Sequence, residues 1–179
     1  MAVVLAVAMT SPAPARAVDL PGPLDELVDA AAVRLQTADP VAAVKWQTKG
    51  DIEDPARVNQ VLAAVSAAAG ARGIDSRYVN QIFKDQISAT EAVEYSRFAE
   101  WKLDPASAPT DTTDLSASRR AIDALNQQMV DQIAAQWEVL QSPQCPVALG
   151  DALHNVIAAR RLDGLYQQAL EFATHSYCS

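Results

Sequence analysis

Apolar residues recur along this chain at intervals of three and four, in stretches rich in alanine and poor in glycine, which supplies only 6 of 179 residues. Alanine loses no side-chain entropy on entering a helix, whereas a sheet of this size needs Gly and Asn for its turns and longer β-branched runs. The chain therefore reads as all-α. With 50% of its residues hydrophobic, it can bury a continuous core, and its length fits a single domain.

Five helical stretches are legible. In residues 24–38, Leu24, Leu27, Ala31 and Leu35 fall on one face. Asp39-Pro40 then offers an N-cap followed by proline, so 41–49 either restarts or continues with a kink, and Gly50 closes it. Asp54-Pro55 repeats that signature and opens a helix to about Ala71, ended by Gly70 and Gly73. Asp75-Ser76 begins the longest run, through Lys102, and 105–113 (PASAPTDTT) is a loop by composition. Asp114 or Ser116 caps a fourth helix carrying Arg119, Ile122, Leu125, Met129, Ile133 and Trp137. After Ser142-Pro143 and Pro146, a last helix spans about 147–172.

The first seventeen residues, MAVVLAVAMTSPAPARA, join an apolar run to small, Pro-rich residues ending in Ala-Arg-Ala. This matches a cleavable export signal over 1–17, leaving a domain over 18–179 and a secreted or periplasmic protein, although no basic residue precedes the apolar run. No apolar stretch approaches the roughly 20 residues that a membrane-spanning helix takes. The two cysteines, Cys145 and Cys178, read as a disulfide in an exported chain, worth roughly 3 to 4 kcal/mol through loop closure. Two separate buried thiols are the alternative. His154 and His175 lack the spacing and companions of a zinc site, so no metal is expected. A net charge of -8 with no Lys/Arg-dense stripe argues against nucleic acid.

Against that acidic background, Arg34, Lys45, Arg57 and Arg119, with the pair Thr90 and Glu94, need an explanation. On an unbroken helix, Arg34 and Lys45 would lie about 20° apart in rotation and about 16 Å apart in rise, on one face. Thr90 and Glu94, at i and i+4, project from one side of the longest helix. Asp54 and Arg57 share a first turn, where Asp54 is foremost an N-cap. Singly, each of these reads as a solvated surface residue or a cap. Together they suit a small dianion, provided that they converge.

Four segments carry a resemblance that supplies the convergence: AAVRLQTADPVAAVKW (31–46), IEDPARV (52–58), DQISATEAVEYSRFAEWKLDPASAP (85–109) and DLSASRRAIDALN (114–126). Their motifs are R-x4-D-P-x4-K-W, I-E-D-x2-R, A-T-E-A-x-E-Y-S-R-F and L-S-A-S-R. The chain resembles the exported chorismate mutases of mycobacteria, the secreted gamma subclass of the all-helical AroQ type, from about Leu24 to the C-terminal cysteine.

The resemblance implies a single-domain helical bundle that isomerises chorismate to prephenate, towards phenylalanine and tyrosine, by a concerted [3,3] rearrangement. An ether C–O bond breaks while a C–C bond forms, and no cofactor is required. Arg34, Arg57 and Arg119 would clamp the two carboxylates of chorismate, with a hydrogen bond from Thr90. Lys45 would donate to the ether oxygen, and Glu94 would approach it as the protonated acid, with Lys45, Glu94 and Arg57 as the catalytic set. Asp54 would accept from the ring hydroxyl or orient Lys45. The resemblance further implies a site built within one chain, a homodimer, and a Cys145–Cys178 disulfide. One turn after Arg57, where relatives carry a glutamine, this chain has Val61. Two other readings share the scaffold: an exported binding module without turnover, and a lyase acting on isochorismate. The Lys45 and Glu94 pair counts against the first, and the Thr90/Glu94 helix favours the mutase over the second.

Overall fold

The computed structural model describes residues 21–111 and 114–178. The expected export signal over 1–17 and its cleavage point lie outside these residues. Eight α-helices follow in order: α1 (Asp25–Gln36), α2 (Ala38–Thr48), α3 (Pro55–Ala71), α4 (Ser76–Leu103), α5 (Leu115–Ala135), α6 (Trp137–Leu140), α7 (Cys145–Arg160) and α8 (Gly164–Thr174), with a single 3-10 turn at Pro105–Ser107. No strand occurs among the described residues, as the alanine-rich, glycine-poor sequence requires.

Helix α1 is the hub. It packs against α4, α5, α7 and α8, and its alanines Ala30, Ala31 and Ala32 are buried beside Leu27, Val28 and Leu35. Small side chains let four neighbours approach one short helix, while its leucines fill the gaps between them. Burying each such leucine stabilises the fold by about 1.5–3 kcal/mol. Helix α4, 28 residues long, runs beside α2, α3 and α8 and carries Val79, Ile82, Phe83, Ala89 and Val93 into the same core. A second, smaller cluster sets Trp46 of α2 edge-on to Phe98 and Trp101 of α4. It clamps these two helices together one position beyond Lys45 and four beyond Glu94.

Side-chain caps fix four of the eight α-helix starts. Asp54 accepts from the Arg57 N–H, Asp75 from Arg77, Asp114 from Ser116 and Asp163 from Tyr166, each satisfying an otherwise orphaned donor. Of the two expected caps for α5, Asp114 is the one used.

Several expected boundaries move. Only Thr37 separates α1 from α2, so Asp39 is not a cap; it accepts from Arg97 Nε at 2.7 Å, and Pro40 sits within the first turn, where a missing N–H costs nothing. The left-handed residue that ends α2 is Lys49 (φ 58), not Gly50; the N–H groups of Lys49 and Gly50 both return to the Lys45 carbonyl. Gly70 lies inside α3, and the turn falls at Gly73 (φ 71). Trp137 begins the separate α6, past the end of α5. The expected last helix over 147–172 is two helices: α7 starts earlier, at Cys145, and Arg161 turns left-handed (φ 52) so that Asp163 can cap α8.

A disulfide joins Cys145 to Cys178, with their Cα atoms 5.6 Å apart, which removes the reading of two separate thiols. It ties the start of α7 to the short segment that follows α8, and both helices back onto α1. No helix among the described residues is long and apolar enough to cross a membrane.

Candidate active site

All seven residues singled out in the sequence line one pocket. Arg34 comes from α1, Lys45 from α2, Asp54 from the turn before α3, Arg57 from α3, Thr90 and Glu94 from α4, and Arg119 from α5. The open space within the pocket, counted out to its mouth, is about 630 Å³. Val41, Ile52, Val58, Val61, Ile87, Leu115 and Ile122 supply apolar wall between the charges. Apolar wall between the charges lowers the local dielectric, which strengthens each electrostatic contact.

The cations are graded by depth. Arg34 is 4% exposed, the most buried of the four. Its Nε donates to Asn126 Oδ1 at 2.7 Å, and its Nη1 lies 3.3 Å from Thr90 Oγ1. Thr90 in turn donates to the Gln86 carbonyl at 2.7 Å, so its hydroxyl oxygen is left to accept. Burial brings the Arg34 pKa down to about 10, with the positive charge of Arg57 second; it stays protonated at neutral pH. Arg57 and Arg119 lie nearer solvent, and each already meets a carboxylate. Arg57 Nη2 donates to Asp123 Oδ1 at 2.6 Å and Nη1 to Gln60 Oε1 at 3.0 Å. Arg119 Nη2 donates to Asp54 Oδ2 at 2.8 Å.

Asp54 thus spans two tasks, capping α3 through one oxygen and fixing Arg119 through the other. Orientation of Lys45 falls instead to the Ile52 carbonyl, which accepts from its ammonium at 2.6 Å. The same ammonium donates to Glu94 Oε2 at 2.7 Å. Glu94 is 3% exposed; burial pushes its pKa up, Lys45 pulls it back, and Glu91 adds to the rise. Glu91, also in the wall, is raised by burial and by Glu53, against the pull of Lys45.

The arrangement is a box of fixed cations and apolar surface, with one ammonium and one carboxyl meeting at a point. Its arginines can donate to two carboxylates, and the ammonium and carboxyl of Lys45 and Glu94 can meet a further ligand oxygen. Among the described residues no group of three or more His, Cys, Asp and Glu is placed to hold a metal ion.

A sequence profile of the type II chorismate mutases matches residues 25–95, the segment that supplies six of the seven residues. The secreted chorismate mutase of Mycolicibacterium smegmatis is 58% identical over 156 residues, covering 87% of this chain and 86% of that protein. The chain belongs to the chorismate mutase family. The secreted chorismate mutase of Mycobacterium tuberculosis is 55% identical, over 87% of this chain and 78% of that protein. Among solved structures, the chorismate mutase of Burkholderia thailandensis superposes with a TM-score of 0.82 at 31% identity, covering 87% of this chain and 99% of that one.

Within this chorismate mutase pocket, Val61 is 4% exposed and contributes only hydrocarbon. The residues that motif reading misses are the supports. Asn126 and Asp123 both lie on α5, 92 and 66 positions from the arginines they hold. Asn126 does leave a signal, since it takes a buried place alongside Met129, Val130 and Ile133, where the helical repeat calls for an apolar side chain.

Proposed function

We propose that the protein is a chorismate mutase that isomerises chorismate to prephenate within this one-chain pocket, and that it works outside the cytoplasm after export. The observation that carries the reading is the meeting of Lys45 and Glu94 at 2.7 Å in a pocket that also holds three arginines.

In the rearrangement the ether C–O bond breaks as the new C–C bond forms, and no atom is gained or lost. The protein has two tasks: to hold the flexible dianion as a compact chair, and to stabilise charge growing on the ether oxygen. Arg34, Arg57 and Arg119 take the two carboxylates, with Thr90 beside Arg34. The guanidinium fork suits this because it can pair in two parallel hydrogen bonds. Lys45 donates to the ether oxygen. Glu94, kept protonated by burial and by the bound dianion, donates its own hydrogen to the same oxygen; as a carboxylate it would repel it. Asp54 holds Arg119 and leaves room for the ring hydroxyl as a further donor to its carboxylate.

Export is supported by the leader-like first seventeen residues and by two relatives described as secreted. Assembly as a homodimer, with one complete site in each chain, goes with the family. A pure binding module has no use for an acid and an ammonium converging on one ligand oxygen, which favours turnover.

The test is loss of chorismate with prephenate as product, using the purified mature chain. Arg119→Ala should raise KM, because it loosens carboxylate clamping. Lys45→Ala should lower kcat by roughly 100-fold or more, as expected for loss of a donor that strengthens in the transition state. Turnover of Lys45→Ala at the parent rate would refute the mechanism.

A further inference from the structure

The three arginines of the pocket differ in what already holds them. Arg57 and Arg119 are each paired with a carboxylate, Asp123 and Asp54. Arg34, the most buried of the three, has no carboxylate within ion-pair distance among the described residues; its side-chain hydrogen-bond partners are Asn126 and Thr90, and its Cζ lies 6.0 Å from the centre of the Phe83 ring. A buried cation without a counter-ion is costly unless something neutral and polar orients it. Asn126 fits that need: it is 3% exposed, it occupies a core position of α5, and its amide oxygen accepts from Nε, the one guanidinium donor that faces away from the fork's two ends.

We propose that Asn126 is the positioning residue for Arg34: by gripping Nε through a neutral acceptor, it aims the terminal N–H groups into the pocket and leaves the guanidinium without a directly paired carboxylate, ready for one from the substrate. The choice of amide over acid is the substance of the proposal. Aspartate has the same shape and accepts the same hydrogen bond, but its charge would satisfy Arg34 from behind and compete with the ligand. Glutamate or glutamine would overfill the place. Alanine would free the fork to swing and leave Nε without a partner. Arg57 and Arg119 tolerate carboxylate partners because they stand nearer solvent, where attraction from behind is screened. The inference rests on the reading that Arg34 takes a carboxylate of chorismate, and it adds a residue that touches no substrate atom.

The experiment compares the parent chain with Asn126→Asp and Asn126→Ala in two ways. Initial rates with chorismate separate KM from kcat. Calorimetric titration with a non-reacting bicyclic dicarboxylate, shaped like the compact chair, reads binding without chemistry. For Asn126→Asp, KM and the analogue Kd should both rise by roughly tenfold or more, with kcat changed by less than about threefold and a Tm no lower than the parent's, because the new charge pairs with Arg34. Asn126→Ala should show a smaller rise in both and a lower Tm, from the unsatisfied donor.

Analogue affinity within about twofold of the parent in Asn126→Asp overturns the proposal, as does a fall in kcat with affinity unchanged. An Asn126→Asp protein that fails to fold also counts against it, since the isosteric acid should hold Arg34 at least as firmly. A parent chain that neither binds the analogue nor turns over chorismate overturns the mutase reading itself, and this inference with it. Normal parent kinetics with unaltered variants overturns this inference alone.

Discussion

Glu94 is almost wholly buried, and in the proposed mechanism its proton decides whether the pocket helps or opposes the departing ether oxygen. Its pKa is raised, by burial first, so kcat/KM should fall as pH rises through that pKa, and Glu94→Gln should stay active with a flatter alkaline limb. A Glu94→Gln protein that folds well but is inactive would remove Glu94 from its role. The same shift bears on stability: an acid whose folded pKa lies above its unfolded value stabilises the fold at low pH and loses that contribution as pH rises through the folded value. The Tm advantage of Glu94→Gln over the parent should therefore widen across that interval, which thermal melts at a series of pH values would show. At this scale the sequence is most readable where motif and chemistry coincide: all seven named residues reach the pocket. Their supports are hidden. Asp54 holds an arginine 65 positions away, and Asn126 looks like a polar interruption of an apolar series until Arg34 is seen against it.

The helices place these side chains through ordinary means: alanines that bring α1 close to its neighbours, and Trp46 packed on Phe98 so that Lys45 meets Glu94. Helix type and order are legible from spacing, and so are three of the four aspartates that cap α-helices, Asp54, Asp75 and Asp114. What spacing cannot give is the split of the last helix, because Arg161 turns left-handed in a run with no proline, and its only local sign is Asp163-Gly164. Similarly, Lys49 rather than Gly50 takes the positive φ, since two N–H groups converge on the Lys45 carbonyl. The Cys145–Cys178 link closes 33 residues around α7 and α8. Replacing both cysteines with serine should lower stability by roughly 3 to 4 kcal/mol, seen as a drop in Tm of about 10 °C for a domain of this size. Rates below the new melting range should stay near the parent's, since no pocket residue lies on α7 or α8. A loss of activity without a loss of Tm would contradict that division of labour.

For the whole molecule, the seven residues of the proposed site converge within a single chain, so assembly state and turnover should be separable. Activity per chain should stay constant as the protein is diluted through any dimer dissociation, followed by sedimentation and initial rates at the same concentrations. A rate that falls with dissociation would mean that a second chain completes or stiffens the site. The acidic whole and the cationic pocket are likewise compatible: a net charge of -8 belongs to the chain as a whole, while Arg34 and Lys45 act at close range in an apolar box. The brace over the last two helices also changes how the protein must be handled on the bench. A reducing bacterial cytosol, or a thiol left in the buffer, delivers molecules with open thiols, identical in mass to within two hydrogens yet softer to heat and protease. Comparing laboratories or variants then requires a free-thiol titration beside each melting curve, or the history of the sample will be mistaken for a property of its sequence.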